Sequence, residues 1–120
     1  MPSIQITSPT AGQQFSLQRD PMNFQVVLPQ VNLSVNNPSS GMRGDALVVR
    51  ATENPPASTK QVLQPTNPTS NPADCPLKNV MVVGAPTPGG GYESFKVAAW
   101  ARIDGVVYAA NPVSIQIKVI

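Results

Sequence analysis

Residues 91–120 read GYESFKVAAWARIDGVVYAANPVSIQIKVI, and this stretch decides the fold. Two runs rich in β-branched and aromatic residues flank Asp104-Gly105, and Asp-Gly between apolar runs is a strong hairpin signal. A two-residue turn of this kind needs positive φ at both positions, which Asp tolerates and Gly prefers. Ile103 is then expected to face Val106, Arg102 to face Val107, Ala101 to face Tyr108, Trp100 to face Ala109, and Ala99 to face Ala110. The chain breaks at Asn111-Pro112 and resumes with Val113, Ile115, Ile117 and Val119 alternating with Ser114, Gln116 and Lys118. That is a half-buried strand, apolar face in and polar face out.

One face of the hairpin carries Phe95, Val97, Ala99, Ala101, Ile103, Val106 and Tyr108 and makes the better core. The other carries Lys96, Ala98, Trp100, Arg102, Val107 and Ala109. Trp100 between Lys96 and Arg102 has two readings: a contact platform, since Trp and Arg are enriched at binding hot spots, or a side chain packed under a loop or into the core.

Working back toward the N-terminus, Ile4 and Ile6 share a face of a strand over 3–7. Residues 8–12 form a turn. Phe15 and Leu17 are the inward pair of a strand over 13–17, and Arg19-Asp20-Pro21 is a second turn. The spacing predicts a strand over 22–28, with Met22, Phe24, Val26 and Leu28 inward or the register slipped around Val27. Pro29 interrupts it, which suits an edge or a bulge. Val31, Leu33 and Val35 alternate in a further strand, residues 36–44 form a loop, and a strand over 45–52 follows. Residues 53–77 hold six prolines (Pro55, Pro56, Pro65, Pro68, Pro72 and Pro76), with only 60–64 resembling a strand. A long stretch with so little regular structure is unusual in a compact domain and suits an arm that is mobile or ordered against a partner. Residues 78–84 form another strand. No window has helical periodicity with caps. Eight or nine short strands punctuated by turns are the pattern of an all-β sandwich, here one domain over 1–120.

The chain has 14 prolines, no histidine, one cysteine and 12% charged residues. Its eight basic residues are scattered singly, giving net charge +2, whereas a nucleic-acid surface clusters them among aromatics. There is no run of 18 apolar residues to insert in a membrane, and residues 1–10 lack the features of a signal peptide. Cys75, read as lying in a loop over 71–76, is an inert thiol or an intermolecular partner, with no histidine to activate it. The same lack removes Ser-His-Asp and Cys-His chemistry and most zinc sites. The acids Asp20, Asp45, Glu53, Asp74, Glu93 and Asp104 form no calcium-loop pattern, and Gly89-Gly90-Gly91 lacks the Lys and Ser/Thr of a phosphate loop. Neither catalytic residues, cofactor nor metal are expected.

Residues 4–15, IQITSPTAGQQF, resemble the opening V-x-I-T-S-P-x-x-G-x-x-F of bacterial and phage immunoglobulin-like (Big-type) domains. Gly91-Tyr92, the strand over 96–102, Gly105 and the segment 111–119 resemble that family's ending. The middle departs from the pattern: the usual central strand is not recognisable, and the Pro-rich segment resembles an insertion. The resemblance implies an immunoglobulin-like sandwich of about seven to nine antiparallel strands with a long Pro-rich loop, used as a structural, spacer or adhesive module, and it transfers no catalytic residue. A Lys–Asn isopeptide cross-link, known in some such adhesins, needs a buried lysine, and Lys96 and Lys118 alternate outward.

The leading expectation is a non-enzymatic structural protein of a phage virion, a capsid decoration or head/tail accessory protein assembled in the host cytoplasm and binding capsid or other assembly subunits. One alternative is a spacer or adhesion module of a secreted or cell-surface protein. Another is a carbohydrate-binding sandwich using Trp100. The expected interaction surface comprises Lys96, Trp100, Arg102, Pro55, Pro56, Val62, Leu63 and Pro65. Copies of the chain could pair as a homo-oligomer through an exposed strand edge, which Pro29 and Pro112 would limit.

Overall fold

The computed structural model describes residues 1–63 and 70–120, and these hold nine strands and no helix. They are β1 (Ser3–Ser8), β2 (Gln14–Leu17), β3 (Val27–Asn36), β4 (Arg43–Arg50), β5 (Gln61–Val62), β6 (Ala73–Met81), β7 (Glu93–Ile103), β8 (Val106–Ala109) and β9 (Val113–Val119). One sheet has the order β1-β3-β6; the other runs β2-β9-β7-β4-β5, with β8 also on β7. The described chain is thus an all-β sandwich.

The hairpin forms in the register its turn dictates. Asp104 and Gly105 take φ of 51° and 81°, and Ile103↔Val106 through Trp100↔Ala109 pair in sequence. β8 and β9 lie along the same side of β7, so the break at Asn111-Pro112 divides one long partner strand in two. The inward face of β7 (Phe95, Val97, Ala99, Ala101, Ile103) is buried, while Val106 is exposed and Tyr108 half-buried. Facing it across the core are Leu28, Val31, Leu33 and Val35 of β3. The alanines of β7 leave room for those larger side chains, and each fully buried Leu, Ile, Val or Phe contributes roughly 1.5–3 kcal/mol. The interior of the described residues holds no buried polar or charged residue.

β1 pairs antiparallel with β3 as far as Ser8↔Asn32. The chain then crosses to the other sheet: Gly12, at φ 80°, donates to Ser114 O at 2.8 Å, and β2 runs parallel to β9.

The structure corrects the sequence reading at four places. Met22 and Phe24 are not inward strand residues; strand β3 begins only at Val27. β3 runs straight through Pro29, because Pro29-Gln30 and the segment Lys78-Asn79 on β6 change face together, with Asn79 at φ 52° and Lys78 donating to Gln30 Oε1. Pro29 also lies beyond the reach of β1, so its missing N–H need not break that ladder. Third, β4 covers Arg43–Arg50 rather than 45–52. Finally, Cys75 is not in a loop: Ala73, Cys75 and Leu77 are the inward residues of β6, an edge strand that tolerates Pro76. The Pro-rich segment therefore ends before Ala73.

Burial pushes the Cys75 thiol up to about 11, with the Asp74 charge adding to it. The native thiol is accordingly expected to resist Ellman's reagent at pH 8 and to react at once in denaturant. Because the folded value lies above the unfolded 9.0, the stability held by the neutral thiol is complete below pH 9 and declines as pH rises through 11. A native thiol that reacts as fast as free cysteine would contradict this burial.

Candidate interaction surfaces

The outer face of β7 carries part of the expected surface. Trp100 is only 8% exposed, so it is not an open platform. Residues 54–58, the start of the Pro-rich stretch, lie over it: Pro56 and Ser58 wall the cleft on one side, Asn54 and Pro55 that on the other, with Lys96 at the rim of the second. Side-chain bonds tie this segment down. Ser58 donates to Asp45 Oδ2 at 2.9 Å and Lys96 Nζ donates to Asn54 Oδ1 at 2.8 Å. Arg43 reaches Lys60 O at 3.4 Å.

Leu63 anchors the end of the described stretch 53–63. It is fully buried within the core and its N–H donates to Met42 O. Leu63 is therefore a core residue rather than part of a contact surface. Val62 pairs with Arg43 and stays exposed. Arg102 is exposed opposite Arg43 and Val107, away from the Asn54–Lys96 contact. Pro65 lies outside the described residues. The structure thus joins Lys96, Trp100, Pro55 and Pro56 and separates Arg102, Val62 and Leu63 from them. Residues 53–63 are docked on the sandwich, which removes that part of the expected arm. Trp100 fluorescence is expected to be blue-shifted and weakly quenched by iodide; quenching equal to that of free tryptophan would contradict the docked segment.

Sequence reasoning missed a second surface. Between β2 and β3 the chain makes a tight tip, closed by Asp20 N–H to Gln25 O and Phe24 N–H to Asp20 O, both 2.8 Å. Asp20 Oδ1 accepts from Met22 N–H at 2.8 Å and Asn23 Oδ1 from Gln25 N–H at 3.0 Å. These are side-chain turns of the kind Asp and Asn favour. The ordered tip presents Met22, 88% exposed, and Phe24, 71% exposed, with Phe24 held at φ 58°. At its base Arg19 Nε is buried without a hydrogen-bond partner. The signal was present in the sequence as Asp20-Pro21-Met22-Asn23, a turn inside an apparently alternating run.

Among the described residues no three His, Cys, Asp or Glu side chains group to hold a metal ion, and no helix is long and apolar enough to cross a membrane. Glu93 pairs with Arg50, whose guanidinium lies 4.7 Å from the Phe95 ring centroid. What these surfaces offer is contact: an apolar tip and a partly covered aromatic cleft. No family model, curated protein or solved structure matches the chain.

Proposed function

We propose that this chain is a non-enzymatic structural and interaction protein with an immunoglobulin-like sandwich, and that it serves as a phage virion component, a capsid decoration or head/tail accessory protein docking on a larger protein assembly. The observation that carries this reading is the Met22–Phe24 tip. A bulky residue in the left-handed region costs roughly 1–2 kcal/mol, and an ordered loop that spends this to hold a phenylalanine in water suits a contact made elsewhere. The strand order supports the immunoglobulin-like assignment: β1, β3 and β6 correspond to A, B and E, and β4, β7 and β9 to C, F and G.

Changing Phe24 to Asn, which tolerates positive φ, is expected to leave the fold as stable or raise its stability by about 1 kcal/mol while abolishing docking. Co-sedimentation with purified particles reads the second effect. Undiminished co-sedimentation of both Phe24→Asn and Met22→Ser would show that the tip makes no contact with the particle.

A second reading, a spacer or adhesion module, is favoured by one observation. β1 starts opposite Asn36, whereas β9 ends opposite Leu17, so the chain enters at one end of a 44 Å body and leaves at the other, as tandem modules do. A reading frame that continues past Ile120 into a further domain would favour the spacer and contradict the virion component.

A further inference from the structure

We infer that the cleft beside Trp100 is a gap in a sheet edge that takes a short extended peptide, about three residues from a loop or terminus of a protein partner, with an apolar side chain at its centre. This rests on the reading of the chain as a protein-interaction module and names a second contact on it.

The hydrogen-bond pattern of β4 identifies the occupant. Ala110 N–H bonds Ala99 O, which directs the odd residues of β7 toward β8 and the even ones toward β4. The β4–β7 register pairs Asp45 with Trp100 and Leu47 with Ala98. The odd residues of β4 thus bond β7, and Gly44, Ala46 and Val48 direct their N–H and C=O to the opposite edge. Two of these three have neighbours there: Gly44 pairs with Gln61 of β5, and Val48 O accepts from Val83 N–H at 2.8 Å. Between them no described strand covers Ala46.

Ala46 N–H is instead bonded at 2.9 Å by Asp45 Oδ1, the side chain of its own neighbour. The carboxylate stands where the carbonyl of an adjoining strand would be. The gap opens into a cleft of about 440 Å³ lined by Asp45, Leu47, Lys60, Met81 and Trp100. Its length along β4 is three residues, about 10 Å at the rise of a strand. A paired N–H and C=O at an open edge select a peptide backbone, as in strand addition, and Leu47, Met81 and Trp100 give its side chain an apolar seat. An incoming carbonyl displaces Asp45 Oδ1 from Ala46 N–H, while Oδ2 stays with Ser58, so Asp45 competes with the ligand.

The test uses the full ¹⁵N-labelled chain and a panel of capped pentapeptides, Gly-Thr-x-Thr-Gly, with x each apolar residue in turn; cellopentaose is the saccharide probe. The expected result is a saturable shift of the Ala46 and Leu47 amides and the Trp100 indole with at least one peptide and none with cellopentaose. Asp45→Ala should tighten that binding about threefold by removing the competitor, and Ser58→Ala, which unties the same cleft wall but keeps the carboxylate, should not. Met81→Glu, at an exposed position, should weaken it about tenfold, with amide dispersion confirming that the variants fold. The inference is overturned by a panel without a saturable response, by shifts that map elsewhere, by saccharide binding at the same amides, or by an Asp45→Ala variant that binds no tighter. Particle docking that remains sensitive to Phe24→Asn in any of those cases leaves the proposed function standing.

Discussion

Replacing Phe95 by alanine is expected to lower the unfolding free energy by about 3–5 kcal/mol, measured by urea denaturation as a fall in midpoint at constant slope. Phe95 is fully buried on β7, the strand that β4 and β9 flank, opposite Arg50 on one side and Ile115 on the other. The Arg50 guanidinium lies over its ring and is itself held by Glu93. Truncation leaves a cavity bounded by hydrogen-bonded strands, which cannot collapse into it. The Arg50 contact is also lost, so Arg50→Ala in the Phe95→Ala background should add less than it does alone. A cost below about 0.5 kcal/mol, the range of exposed sites, would place Phe95 outside the core.

Gly44→Ala is the second large effect. An added Cβ would lie 2.6 Å from Trp100 O and 2.9 Å from both Leu63 methyl carbons. The first contact is with backbone, so β4 and β7 must separate, and the expected loss is about 3 kcal/mol. The second is with the side chain that anchors the Pro-rich segment. Adding Leu63→Ala to Gly44→Ala relieves that clash alone, and the double variant should be less destabilised than the sum of the two singles. Simple additivity would mean that Leu63 does not fill the space above Gly44.

The elements that could be read from sequence are those whose local signals agree. Asp104-Gly105 sets the hairpin register, and the alternation over 113–119 sets the last strand. Where signals compete, tertiary context decides. Met22, Phe24, Val26 and Leu28 alternate like a strand, but Asp20 and Asn23 bond the backbone locally and turn the chain, leaving the first two in solvent. The prolines of 72–76 read as loop, yet an edge strand accommodates them, and the inward Ala73, Cys75 and Leu77 settle β6. Pro29 reads as an end because neither partner's shift of face is visible in one strand alone.

Of the interaction surface, the sequence offered Trp100 on the outer face and both alternatives for it; only the docked segment distinguishes them. Lys96 does meet an asparagine, Asn54, but at a solvent-exposed bond and not at the buried site such a cross-link needs. The gap at Ala46 has no sequence signature, since it depends on which residues of three separate segments stop short of one another.

The Met22–Phe24 tip is the proposed contact with a larger assembly. Replacing Phe24 by p-benzoylphenylalanine and irradiating the protein with purified particles tests it most directly. A single adduct with a structural subunit, identified by mass spectrometry and missing when the probe is moved to exposed Gln18, is expected. An adduct pattern identical at both positions, or none at Phe24 while the protein remains particle-bound, would contradict it.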